Sequence, residues 1–129
     1  MSADDDGVQL DWRAIATGAG VVAAIYVPLL IAYAVTVDEA SNVVFVLALP
    51  VFLVCAIGGY VAGSRQRDTP MMHGAIAAFV GVAAGQLLGI VLDLARSDDV
   101  HPVGIVFSLL LASNIGLLGG WLSTRRRVA

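Results

Sequence analysis

Val51-Phe52-Leu53-Val54-Cys55-Ala56-Ile57 is an unbroken apolar run. A half-buried strand, or a strand of a membrane barrel, alternates apolar with polar residues. This run does not alternate, and it extends in both directions into Ala40–Ser64, 25 residues without Asp, Glu or Arg. About 20 apolar residues in a helix cross the roughly 30 Å of bilayer hydrocarbon. In lipid each backbone N–H and C=O must find its partner inside the protein, so a stretch of this kind is helical. Three more stretches share its character: Ala14–Val37, Thr69–Leu92 and Val100–Thr124. The expectation is an all-α integral membrane four-helix bundle forming a single domain over 1–129. Its helices are placed at 12–36, 42–63, 71–95 and 102–123, after an acidic disordered tail over 1–10.

Composition points the same way. Hydrophobic residues make up 59% of the chain and charged residues 13%, with a mean hydropathy of +0.90. Soluble domains are about 45–50% apolar and about 25% charged. A chain of 129 residues is too small to hide such an excess from water. The single cysteine, Cys55, excludes an intrachain disulfide and reads as a small packed hydrophobe. The N-terminus opens with Asp4-Asp5-Asp6 rather than a basic region, so a cleaved signal is not expected.

Arginine sets the orientation. Arg13, Arg65, Arg67, Arg125, Arg126 and Arg127 fall at one end of the expected helices, and only Arg96 at the other. By the positive-inside rule the arginine-rich end is cytoplasmic, which places both termini in the cytoplasm and the protein in the cytoplasmic membrane. Trp12, Tyr60 and Trp121 lie at that same boundary, as an aromatic belt would.

A shift of 61 residues aligns the two halves without gaps. Ala14-Ile15-Ala16 meets Ala75-Ile76-Ala77, Gly20-Val21 meets Gly81-Val82, and Asp38 meets Asp99. Gly58-Gly59-Tyr60 meets Gly119-Gly120-Trp121, and Arg65 meets Arg126. Two tandem helical hairpins are expected, as a parallel pseudo-repeat about an axis along the membrane normal.

Helices in lipid associate through close packing and interhelical hydrogen bonds. Gly81, Gly85 and Gly89 recur at every fourth position of the third helix, a glycine-zipper spacing that Gly116 and Gly120 repeat in the fourth. These five are the candidate packing residues, facing either a neighbouring helix or another subunit. Pro28 and Pro50 lie inside the first two helices, where each removes a backbone donor.

Deep polar residues are few. Gln86 and Asn114 lie within about two helical turns of each other in depth, and are the candidate buried polar pair across helices three and four. Asp93 borders the third span near its outer end with Arg96 three residues on, a candidate helix-end ion pair. His73 is expected at the cytoplasmic interface and His101 in an outer loop, so the two cannot share a metal. No Cys/His cluster has ligand spacing, and no phosphate loop or nucleophile motif appears. Catalytic residues, metal and cofactors are therefore all expected to be absent. Arg125-Arg126-Arg127 reads as topogenic and as a contact for lipid headgroups, too short for nucleic acid.

Ala56-Ile57-Gly58-Gly59-Tyr60-Val61-Ala62-Gly63, the basic loop after it, His73-Gly74-Ala75, and Gly116-Leu117-Leu118-Gly119-Gly120-Trp121 together resemble the YrzE-like group of small bacterial membrane proteins. The resemblance implies four membrane helices and brings no catalytic residue with it. The function expected from the sequence is a non-enzymatic accessory or assembly subunit. Its partners would be the lipid bilayer and either a further copy of the chain or another membrane protein. The alternative is a small oligomeric channel or transporter with Gln86, Asn114 and Asp93 along its path.

Overall fold

The computed structural model describes residues 9–36 and 43–128. Asp4-Asp5-Asp6 of the expected tail and Asp38 and Glu39 of the first link lie outside the described residues. Four helices follow one another: α1 Trp12–Thr36, α2 Val43–Ser64, α3 Pro70–Ala95 and α4 Pro102–Val128. Among the described residues there is no strand. Three helical segments are long and apolar enough to cross a membrane: Trp12–Ala32, Pro70–Ala95 and Pro102–Arg126. In α2 the stretch Leu49–Ser64 is likewise apolar.

The helix ends follow local chemistry. Asp11 caps α1: its Oδ1 accepts the N–H of Arg13 at 3.0 Å and of Ala14 at 3.3 Å. Pro70 opens α3, where its missing N–H is no loss. At the other end of α3, Ser97 adopts a left-handed backbone with φ of 59°. Its N–H reaches the carbonyl of Leu94 at 3.2 Å and the N–H of Asp98 that of Asp93 at 2.9 Å, the Schellman pattern of helix termination. Helix α4 runs past its apolar part through the arginines, beyond the expected end at 123. Arg125 stacks over the Trp121 ring one turn back, 4.2 Å from its centroid, and arginine is itself a good helix former.

Helix α1 packs against α2 and α3, α4 also packs against α2 and α3, and α2 touches α3 across the middle. Among the described residues α1 and α4 do not meet. A two-fold axis relating the hairpins would make the α1–α4 and α2–α3 contacts equivalent, and they are not. The hairpins instead stand side by side, α1 beside α3 and α2 beside α4. Both lateral pairs run parallel. Gly18 lies against Ala77, Val22 against Gly81, Tyr26 against Gly85 and Leu30 against Gly89, each pair separated by 59 residues in sequence. Gly59 meets Gly116 and Gly63 meets Gly120, a separation of 57.

Small residues make the closest helix contacts, and many large apolar residues lie on the exterior. Gly18, Gly58, Gly59, Gly74, Gly116 and Gly120 bring backbones together, and Ala14, Ala62, Ala77 and Ala78 fill in around them. Leu53, Leu87, Val91 and Phe107 are exposed. Such a distribution would be costly in water and suits lipid, where the outer face needs apolar bulk and the helix contacts need close approach. Among the described residues burial is concentrated at the arginine-rich end, with no buried residue in α3 beyond Gly85 or in α4 before Ala112.

Candidate functional site

The deepest polar cluster is centred on Gln86 of α3. Gly85 precedes it, and a Cβ there would overlap the ring of Tyr26. That gap admits the ring, which carries its hydroxyl from α1 to the glutamine. Gln86 Nε2 donates to Tyr26 Oη at 3.1 Å and to Ser108 Oγ at 3.0 Å. The Ser108 hydroxyl donates onward to the Ile105 carbonyl of its own helix at 2.9 Å. One amide thus links α1 and α4, whose backbones do not approach each other among the described residues. Tyr26 was not foreseen as its partner; the signal was Gly85, whose missing side chain marks where a ring can lie.

Asn114 does not join this cluster, contrary to the expected pairing with Gln86. Its Nδ2 donates to the Leu110 carbonyl one turn back at 2.8 Å, and its side chain is exposed. The reason is angular. Asn114 is six residues beyond Ser108, which at about 100° per residue turns it roughly 120° away from the face that meets Gln86. Asp93 is half-buried in the last turn of α3 and Arg96 is the exposed residue that closes it, its N–H on the carbonyls of Leu92 and Asp93. Asn114 therefore does not share the face of α4 that meets Gln86.

Gly81 and Gly85 face α1. A Cβ at Gly81 would come within 2.6 Å of Val22 Cβ and 2.9 Å of the Ala19 carbonyl oxygen. Gly89 is looser, 3.6 Å from Leu30 Cδ2. The strip receives side chains from α1 more than backbone. Of the five candidate packing glycines, the two that meet backbone most closely are Gly116, set between Gly59 and Gly74, and Gly120, against Pro70 and Met71.

A second polar cluster lies at the arginine-rich end. His73 is fully buried, not at a solvated interface as expected. Asp11, immediately before α1, lies against it. The backbone N–H of Asp11 donates to His73 Nε2 at 2.9 Å, so that nitrogen is the acceptor and the ring hydrogen sits on Nδ1. Nδ1 then donates to the Thr69 carbonyl at 2.8 Å, with Thr69 Oγ1 also 3.0 Å away. Both ring nitrogens are occupied. The Asp11 carboxylate accepts from Gln66 Nε2 at 2.8 Å. This hydrogen bond, with that from the Ala14 N–H, holds the Asp11 carboxyl below its usual value of 3.8. The cluster fastens the start of α1 to the α2–α3 loop. Among the described residues no three His, Cys, Asp or Glu side chains gather as metal ligands.

No family model, curated protein or solved structure matches the chain.

Proposed function

We propose that the chain is a four-helix bundle embedded in the cytoplasmic membrane, all four helices spanning it and both termini in the cytoplasm. It acts there as a non-enzymatic accessory or assembly subunit, built from a duplicated helical hairpin. The observation that carries this reading is Gln86. The polar group best placed to act on a solute in mid-membrane is engaged with Tyr26 and Ser108, and serves to hold three helices together. Orientation rests on the arginines: Arg13, Arg65 and Arg125 all stand at the end where α1 and α3 begin and α2 and α4 finish.

The test is Gln86→Leu in the full chain, reconstituted in vesicles. The reading expects a loss of about 0.6–1.7 kcal/mol in stability, the range for such bonds between membrane helices, with no change in ion or solute flux. A variant of unchanged stability and altered flux would place Gln86 on a permeation path and sink the proposal.

A further inference from the structure

We infer that the outer face of α4 is a self-association surface, on which a second copy of this chain docks with Asn114 against Asn114. The inference rests on the membrane-subunit reading above and names its partner.

The carrying observation is an unfinished amide. Asn114 is exposed at mid-helix, and among the described residues its one side-chain hydrogen bond goes to the backbone of its own helix at Leu110. One amide hydrogen and the Oδ1 have no partner among the described residues. In hydrocarbon such groups are costly to leave unmatched. An amide carries both donor and acceptor, so two copies related by a two-fold axis satisfy each other reciprocally. All copies insert in one direction if the arginine bias sets the orientation. The same residue of each copy then lies at the same depth, as a parallel pair requires.

The surroundings fit a helix-on-helix seam. Val103, Phe107, Leu110, Asn114, Leu118 and Trp121 are all exposed and recur at intervals of three and four residues. That is the spacing of a left-handed helix pair, in which a single central Asn fixes register. Among the described residues the outer half of α4 also lacks close packing. Val103 is 82% exposed and Gly104 has nothing within 4 Å of where a Cβ would stand. Pro102, Val106 and Phe107 border an open apolar recess of about 440 Å³, room for side chains from a neighbouring helix.

The experiment uses the full chain in phosphatidylcholine–phosphatidylglycerol vesicles. Dimerisation is read by energy transfer between donor- and acceptor-labelled copies across protein-to-lipid ratios. Contact is read by oxidative crosslinking of Leu110→Cys, Leu118→Cys and, on the exposed face of α3, Leu87→Cys. The expected result is a dimer that crosslinks through 110 and 118 but not 87. Asn114→Leu should weaken it roughly 3- to 30-fold, the equivalent of one interhelical hydrogen bond, and Asn114→Gln should largely restore it. The unfolding midpoint of each variant reports on folding, and the crosslinks stand whatever Asn114→Leu does. A wild-type chain that stays monomeric at every ratio overturns the inference, as does a dimer that crosslinks through 87 and ignores Asn114→Leu. If a wild-type monomer instead crosslinks through 110 and 118 to a different protein in native membranes, the second copy is refuted while the assembly-subunit reading survives. A monomer with no such partner refutes both.

Discussion

Gly20 and Gly81 are matched by the 61-residue shift, yet they meet opposite surroundings, and alanine at each separates packing from helix propensity. Around Gly20 nothing lies within 4 Å of an added Cβ. At Gly81 the added atom would stand 2.6 Å from Val22 Cβ, 2.8 Å from Val22 Cγ1 and 2.9 Å from the Ala19 carbonyl oxygen. Val22 is fully buried, and the carbonyl belongs to a helix backbone, so neither can simply rotate away. Either substitution gains the same propensity term, about 0.5–1 kcal/mol for glycine to alanine in a helix. Gly81→Ala alone meets the overpacking cost, about 1–3 kcal/mol. Taking the difference between the two variants cancels propensity and leaves that cost. Gly20→Ala should therefore be at least as stable as the parent, and Gly81→Ala about 1–3 kcal/mol below Gly20→Ala. Reversible unfolding by an anionic detergent in mixed micelles, followed by circular dichroism, measures both. Equal shifts in the two variants would show that α3 does not lean on α1 at Gly81, and the internal assignment of the glycine strip would fall.

Tyr26→Phe and Gln86→Leu should each destabilise the chain and, combined, fall short of additivity by about 0.6–1.7 kcal/mol; strict additivity in the double-mutant cycle would mean that the hydroxyl and the amide do not interact. Membrane-impermeant thiol reagents applied from outside should reach cysteines at positions 39 and 99 and miss those at 66 and 127, and labelling at 66 would reverse the orientation. Replacing Ser97, with its φ of 59°, by glycine should stabilise the chain by about 1 kcal/mol through relief of the left-handed strain; an unchanged unfolding midpoint would count against the Schellman termination of α3. For Asp11 the folded pKa lies below the usual 3.8, so its contribution is complete above the unfolded value and is lost as pH falls through the folded one. Asp11→Asn keeps a capping side chain and should flatten that acid limb in thermal melts, whereas an acid limb identical to wild type would show that Asp11 does not titrate with folding.

The helices were legible because lipid leaves the backbone a single choice over long apolar runs such as Val51–Ile57. Their ends were less so where hydropathy and helix formation part company. Apolar character stops near Ser123, but arginine continues a helix as well as leucine does, and Arg125 rests on Trp121. In the candidate site, Gln86 was visible as a deep polar residue while its partners were not. Sequence order favours contacts between consecutive helices, and Tyr26 reaches Gln86 through the lateral α1–α3 contact, which no short loop announces. His73 was misread for a related reason. Its depth along α3 is interfacial, but it is buried, and its ring accepts the backbone N–H of Asp11, a contact 62 positions away in sequence.

The lateral arrangement gives the proposed duplication a physical rationale different from rotational symmetry. Two hairpins set side by side place each helix next to its own counterpart, both running in the same direction. Residue i of α1 then faces residue i+59 of α3, two positions from the i+61 of the sequence alignment. At about 1.5 Å per residue the matched positions differ by only ~3 Å in depth. A residue at a given level in one copy therefore packs near its own counterpart. Small residues answer this geometry, since two bulky side chains at one level of a parallel pair would hold the helices apart. The same demand does not apply to α1 and α4, at opposite corners. Released from it, Gly20 opens on empty space while its match Gly81 closes on Val22, and α4 keeps an uncommitted face with Asn114 at its centre. Lateral stacking leaves α1 and α4 at opposite corners, and among the described residues the exposed face of α4 that carries Asn114 is the side on which the second copy is expected to sit.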